Sequence, residues 1–244
     1  MAGIIDLDNV SFSAQNSLIV RNFSYSFEEG KTTAIVGPSG SGKSTVLKLA
    51  AGILVPSEGE VRFRGNDILE MNRQENLDFR REAAMVFQDA ALWANQNLDQ
   101  ILDLPLLTHF PDMSAPERKK RVNEVLGQVG YKRALNIRPS ALSMGEQKLI
   151  AFARALLCGP KLLFLDEWTE SLDDAAANRA AQIVRRHRQE GNSVIFVSHD
   201  FRFVKGLADY IVMIVGGAFS SVYSHAQIEN DEDLAQRIES GITS

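Results

Sequence analysis

A chain of 244 residues is long enough for one large domain or a domain with a subdomain, and its 45% apolar share is that of a globular protein with a buried core. A net charge of −5 excludes binding to nucleic acid through the overall field, and a single cysteine, Cys158, excludes an internal disulfide and a cysteine metal cluster. The opening MAGIIDLDNV has acids and no basic stretch, unlike a secretory signal, and the longest apolar run, 210–219, is about half of what a membrane span needs. The expectation is a soluble or peripheral protein whose dealings with a membrane run through a partner.

Residues 4–12 and 18–27 read as an N-terminal strand pair around a polar turn at 13–17. Residues 33–36 form a short apolar strand. Directly after it come Gly37-Pro38-Ser39-Gly40-Ser41-Gly42-Lys43-Ser44-Thr45, the Gly-x4-Gly-Lys-[Ser/Thr] phosphate loop. Its glycines let the backbone curl so that successive N–H groups face one anion. Lys43 is the type of side chain that reaches β- and γ-phosphates, and the Ser44 hydroxyl is a Mg²⁺ ligand. The helix expected at 45–50 adds the positive field of its N-terminus. A turn at 56–59 leads to a strand at 60–64, and 81–87 is a further strand.

From 89 to about 158 the pattern is helical, with no strand. Ser114 and Glu117 have the spacing of a capping box at the start of one helix. Pro139 and Ser140 break the chain before Leu142-Ser143-Met144-Gly145-Glu146-Gln147, which precedes a helix expected at 148–157. A hydroxyl, a free N–H and a helix dipole make that junction a second anion site. It is equally a plain N-cap, with Ser143 and Glu146 as its capping box.

A buried strand at 161–165 runs into Asp166 and Glu167. Adjacent carboxylates there are costly unless a positive charge lies beside them. A nucleotide-bound Mg²⁺ would supply it, with Asp166 holding the metal and Glu167, on the other side of the strand, polarising a water for in-line attack on a γ-phosphate. A helix at 175–189 ends near Gly191. The strand at 193–197 opens onto Ser198-His199-Asp200, where His199 is either a structural group or a contact to a γ-phosphate oxygen. A last strand is expected at 210–215. Gln88, at the join to the helical block, says nothing alone. Strand–helix alternation around an inserted helical block predicts an α/β core with a helical subdomain.

Taken in order, these residues resemble the nucleotide-binding subunit of ABC transporters over nearly the whole chain. Residues 37–45 are similar to the Walker A loop, Gln88 to the Q-loop glutamine, and 142–147 to the signature. Residues 162–167 are similar to Walker B, 171–173 to the D-loop and His199 to the switch histidine. The resemblance implies an α/β P-loop NTPase core at 1–88 and 159–224, with an N-terminal antiparallel β part. It implies an inserted helical subdomain at 89–158 and a C-terminal helical tail at 225–244. It implies ATP and Mg²⁺ as cofactors, with hydrolysis coupled to transport.

The roles it implies are Lys43 and its loop on the phosphates; Ser44, Gln88 and Asp166 on Mg²⁺; Glu167 as general base; and His199 on the γ-phosphate. It implies a head-to-tail homodimer in which each ATP lies between one Walker A loop and the partner's Ser143 and Gly145 equivalents. Integral-membrane permease subunits and a place on the cytoplasmic face of the inner membrane follow from the same resemblance. The pattern departs from the family at Ala14, where an aromatic usually stacks on adenine while Phe12 turns to the core. It departs also at Met144, Glu146, Leu149 (for arginine) and Trp168 (for proline). These departures bear on turnover more than on binding.

A narrower likeness lies in Met85-Val86-Phe87-Gln88-Asp89-Ala90-Ala91-Leu92-Trp93, in Leu104-Pro105-Leu106 and in the tail at 233–241. These are similar to ATPases that drive MCE-type (Mla-like) phospholipid transporters, which implies a lipid cargo and an MCE or substrate-binding partner. Leu92, Trp93, Leu98, Ile101 and Leu104 are either an anchor surface for a permease helix or filling for the helical subdomain. Two other classes stay open: a soluble ABC ATPase in an assembly role of the iron–sulfur type, and an ATP-binding scaffold with little turnover.

Overall fold

The structure, a computed structural model, describes residues 3–243; Met1 and Ala2 of the opening segment and Ser244 of the tail lie outside the described residues. Strands β1 (Ile5–Ala14) and β2 (Ser17–Phe27) form an antiparallel hairpin with Ala14 opposite Ser17. Its loop is two residues, shorter than the sequence suggests. Gln15 and Asn16 both take positive φ, 49° and 59°, the backbone that matches strand twist in a tight hairpin. β3 (Thr32–Val36) leads to α1 (Lys43–Ala50), and β4 (Glu58–Phe63) and β5 (Asn66–Asp67) complete a four-stranded sheet of order β2-β1-β4-β5.

Helix α2 (Arg73–Glu82) has no counterpart in the sequence reading, and it shortens the strand expected at 81–87 to β6 (Ala83–Val86). It is almost wholly polar and buries one residue, Phe79. A capping box of Asn72 and Glu75 starts it, closed by hydrogen bonds in both directions. Between residues 89 and 158 come α3 (Leu98–His109), α4 (Ala115–Val129), a 3-10 turn at Pro139–Ala141 and α5 (Met144–Leu156). α5 starts at Met144, four residues ahead of the expected start. Leu98 and Ile101 are fully buried and fill the helical layer, whereas Trp93 and Leu104 are exposed and Leu92 is half-buried.

β7 (Leu162–Asp166), α6 (Asp174–Gln189), β8 (Ser193–Val197), α7 (Phe201–Leu207) and β9 (Tyr210–Val215) follow in alternation. β10 (Ala218–Ser224), an edge strand with few apolar residues, pairs antiparallel with β9 and was not anticipated. The tail forms α8 (His225–Asn230) and α9 (Glu232–Thr243), which bury Ile228, Ala235 and Ile238. No helix among the described residues is long and apolar enough to cross a membrane.

The central sheet has the order β10-β9-β3-β8-β7-β6, parallel from β9 to β6. β3, β7 and β8 are buried at every position, as in parallel strands covered on both faces. Alternate residues feed two cores. Leu162 and Phe164 join Phe23, Phe27 and Leu47 under the antiparallel sheet, while Leu163 and Leu165 join Ile150 and Leu102 under the helices.

Candidate nucleotide-hydrolysis site

Strand order sets the site. β3, β8, β7 and β6 are parallel neighbours, so the segments after their C-terminal ends line up along one edge. In that row stand the phosphate loop after β3, His199 after β8, Asp166 and Glu167 at the end of β7, and Gln88 after β6. Ser39, Gly40, Gly42, Lys43, Ser44 and Thr45 share one cavity of about 370 Å³ with Ile19, Gln88, Glu167 and His199.

The phosphate loop needs its first glycine. Gly37 has φ 149°, and a Cβ there would lie 2.1 Å from the Ile214 carbonyl oxygen of β9. Lys43 Nζ donates to the carbonyls of Gly37 and Pro38, both at 2.8 Å, and burial lowers its pKa. Ser44 Oγ donates to Asp166 Oδ1 at 2.7 Å. Asp166 is fully buried; its Oδ2 has no hydrogen-bond donor and lies 3.7 Å from Lys48 Nζ. A hydroxyl beside a buried, incompletely satisfied carboxylate is a donor set suited to a hard divalent cation.

Glu167 lies just past β7 with a left-handed backbone, φ 42°. Its direction is therefore set by a turn, not by the strand pleat expected from the sequence. The His199 backbone N–H donates to Oε2 at 3.1 Å, and His199 Nε2 lies 3.2 Å from Oε1. Burial pushes the Glu167 carboxyl up from its ordinary range, and His199 opposes that shift. Gln88 Nε2 donates to Glu170 Oε2 at 3.1 Å.

Ser143 and Gly145 are not among the residues lining this cavity. Ser143 is the N-cap of α5, accepting from Glu146 N at 3.2 Å while the Glu146 carboxylate accepts from Ser143 N at 2.9 Å. Gly145 belongs to the first turn of α5 rather than to a loop before it. A Cβ at Gly145 would sit 2.7 Å from the Ser171 carbonyl oxygen, so glycine lets the 167–171 segment rest on the helix. Met144 is exposed, and Glu146 pairs with Arg133 at 2.8 Å. Phe12 is half-buried against the antiparallel-sheet core and Leu149 against the helical core. Trp168 is buried between Phe152 and Phe203, with centroids at 5.8 and 5.9 Å.

Two residues here escaped the sequence reading. Lys148 is buried and donates to Phe87 O at 3.2 Å and Glu167 O at 3.1 Å. Glu170 holds the Gln88 amide. Three acids at positions 166, 167 and 170 were a signal for Glu170; a lysine in a helix carries none.

A parallel sheet with a phosphate loop at one strand end, and a buried acid pair beside it, defines a P-loop nucleotide-hydrolysing protein. Residues 20–170 match the ABC transporter family. The nickel import ATP-binding protein NikE of Shigella flexneri serotype 5b (strain 8401) is 33% identical over 207 residues, 83% of this chain and 77% of that one. The intermembrane phospholipid transport system ATP-binding protein MlaF of Haemophilus influenzae (strain ATCC 51907 / DSM 11121 / KW20 / Rd) is 32% identical over 234 residues, 95% of this chain and 88% of that one. The dimeric post-hydrolysis structure of the ATP-binding cassette MJ0796, bound to ADP and Pi, superposes with a TM-score of 0.83 at 29% identity, over 91% of this chain and 98% of that one. An ATP-binding subunit of an ABC transporter shares the fold with a TM-score of 0.84 at 19% identity, over 99% of this chain and all of that one. The chain belongs to the ABC transporter family as its ATP-binding, ATP-hydrolysing subunit.

Proposed function

We propose that this chain drives a lipid-transporting permease by hydrolysing ATP at Glu167. The observation that carries the hydrolytic part is the Glu167 carboxylate, held by His199 and facing the Lys43 loop across one cavity. The loop and Lys43 bind the phosphates. A water attacks the γ-phosphorus, Glu167 takes its proton and ADP leaves, while His199 steadies Glu167 and contacts the γ-phosphate. The raised Glu167 pKa makes it a better proton acceptor than an ordinary carboxylate. Ser44, Asp166 and Gln88 would hold Mg²⁺, which when bound offsets charge on the phosphates.

The partners follow the same reading. Two copies pair head to tail, and Ser143 and Gly145 at the α5 N-terminus face the other copy's nucleotide; the dimeric MJ0796 cassette supports this. Residues 1–88 and 159–224 act as the core, 89–158 as a helical subdomain and 225–244 as a tail. A groove of about 460 Å³ between core and helical layer, lined by Ile53, Met85, Phe87, Trp93, Pro105 and Arg154, receives the permease on the cytoplasmic face of the inner membrane. The Trp93 ring faces the Arg154 guanidinium at 5.5 Å, and Arg154 holds the carbonyls of Ala90 and Ala91.

Lipid is favoured as cargo because the likeness to MlaF extends over 234 residues against 207 for NikE. An MCE-type subunit completes the complex. Glu167→Gln should abolish phosphate release while ATP binding persists. Turnover undiminished in that variant removes Glu167 from the reaction. Mass spectrometry of the purified membrane complex should find permease subunits and bound phospholipid; nickel without lipid would reverse the cargo.

A further inference from the structure

One face of α5 carries the segment that follows β7. Gly145, Lys148 and Phe152 recur at the spacing of a single helix face. Gly145 leaves room for the Ser171 carbonyl, Lys148 holds the Glu167 carbonyl and Phe152 packs on Trp168. Lys148 is the polar member of that face. It is 2% exposed, and its ammonium also donates to Phe87 O, the residue before Gln88.

A buried ammonium is costly, and this one is held by two neutral carbonyls rather than by a carboxylate bonded to it. Both carbonyls belong to chain segments that end at site residues. Glu167 occupies a left-handed backbone that a non-glycine residue keeps only when its surroundings over-determine it. Its N–H donates to Val197 O at 3.1 Å, and its carbonyl accepts from Lys148 Nζ at 3.1 Å and from Glu170 N at 3.2 Å. Remove the ammonium and the carbonyl keeps only its local turn bond from Glu170 N; its tie to α5 is gone, while the phosphate loop, Ser44 and Asp166 keep their own bonds.

We propose that Lys148 is a positioning residue for Glu167 and Gln88: it ties both to the helix that begins at Ser143. The proposal rests on the hydrolytic role given to Glu167 above. Lys148 is not among the residues that line the phosphate-loop cavity; it acts through the backbone of Glu167 and Gln88, which do line it. Docking of one chain's Ser143 and Gly145 on a second copy's nucleotide then fixes, through the same helix, the docking chain's own Glu167.

The test uses the full chain with ATP and Mg²⁺. Lys148→Met should lower kcat at least about tenfold while KM for ATP stays within about threefold. In a Glu167→Gln background, Lys148→Met should leave ATP-dependent dimerisation, read by gel filtration, unchanged. Lys148→Gln, which keeps N–H donors and loses the charge, should recover part of the kcat, and it is read in place of Lys148→Met should that variant not fold. A kcat within about twofold of the parent overturns the proposal. So does joint loss of ATP affinity and dimerisation, which marks a general lesion of the fold. A parent chain that binds ATP and does not hydrolyse it refutes the Glu167 reading before any Lys148 variant is made, and the proposal falls with it.

Discussion

Trp168→Ala should unfold far below the parent chain, and Trp168→Phe close to it. The indole is 2% exposed and lies between Phe152 of α5 and Phe203 of α7. A buried ring system of this size removes about 150–250 Å² from water, worth about 4–6 kcal/mol at about 25 cal/mol per Å². Its Nε1 has no hydrogen-bond partner among the described residues, which takes back about 1–3 kcal/mol. The difference spans about 1–5 kcal/mol, and deletion of a large core ring usually costs about 3–5 kcal/mol, so a loss of about 3–5 kcal/mol is expected for alanine. Phenylalanine keeps the contact to both neighbours. Its smaller ring costs about 1–2 kcal/mol, and loss of the orphaned N–H returns a similar amount. Thermal unfolding followed by circular dichroism reads the difference, since about 1 kcal/mol moves the midpoint of a chain this long by about 2–4 °C. Alanine should therefore lower Tm by about 6–20 °C and phenylalanine by no more than about 4 °C. An alanine variant within about 2 °C of the parent, or a phenylalanine variant as weak as alanine, refutes the reasoning.

Two further outcomes are expected. His187 is buried near the C-terminal end of α6, and burial, aided by Lys161, pushes its pKa down to about 4. The unfolded chain, with an ordinary histidine near about 6.5, takes up the proton first as pH falls, so this stabilisation is complete above about pH 6.5 and gone near pH 4. Between pH 7 and 5 the parent should lose about 2 kcal/mol that His187→Leu does not lose, measured as urea midpoints; equal slopes for the two proteins would count against it. Trp93→Glu, at the rim of the groove beside Arg154, should abolish co-purification with permease subunits while the isolated chain still hydrolyses ATP. An intact complex would move the docking surface elsewhere.

Much of the row of strand ends was legible because fully buried parallel strands are short apolar runs, and 33–36, 161–165, 193–197 and 210–215 are such runs. Each is followed by the glycine, acid or histidine that a strand end exposes. The phosphate loop was readable for the same reason, since its glycines answer to backbone shape alone. α2 was missed because its helical character rests on polar residues with one buried aromatic, Phe79; the Asn72 and Glu75 spacing was its only local mark. The start of α5 was misplaced because Gly145 reads as a loop residue, and only the Ser171 carbonyl lying against it explains a glycine there. Lys148 was invisible since a helical lysine is ordinarily solvated, and its two acceptors come from positions 87 and 167, far away in sequence. Leu98 and Ile101 divided from Leu104 only once the packing of α3 against α5 fixed which face turned inward, and Trp93 lies outside that helix, in the segment before it.

Arg154 and Lys148 give α5 a mechanical character. The arginine clasps the left-handed pair Ala90 and Ala91, at φ 61° and 46°, and the lysine clasps the peptide groups at positions 87 and 167. The two grips are about 9 Å apart along a single helical rod. On the proposed reading of the groove and of Glu167, load applied at the groove's rim would reach that carboxylate as a tilt of α5.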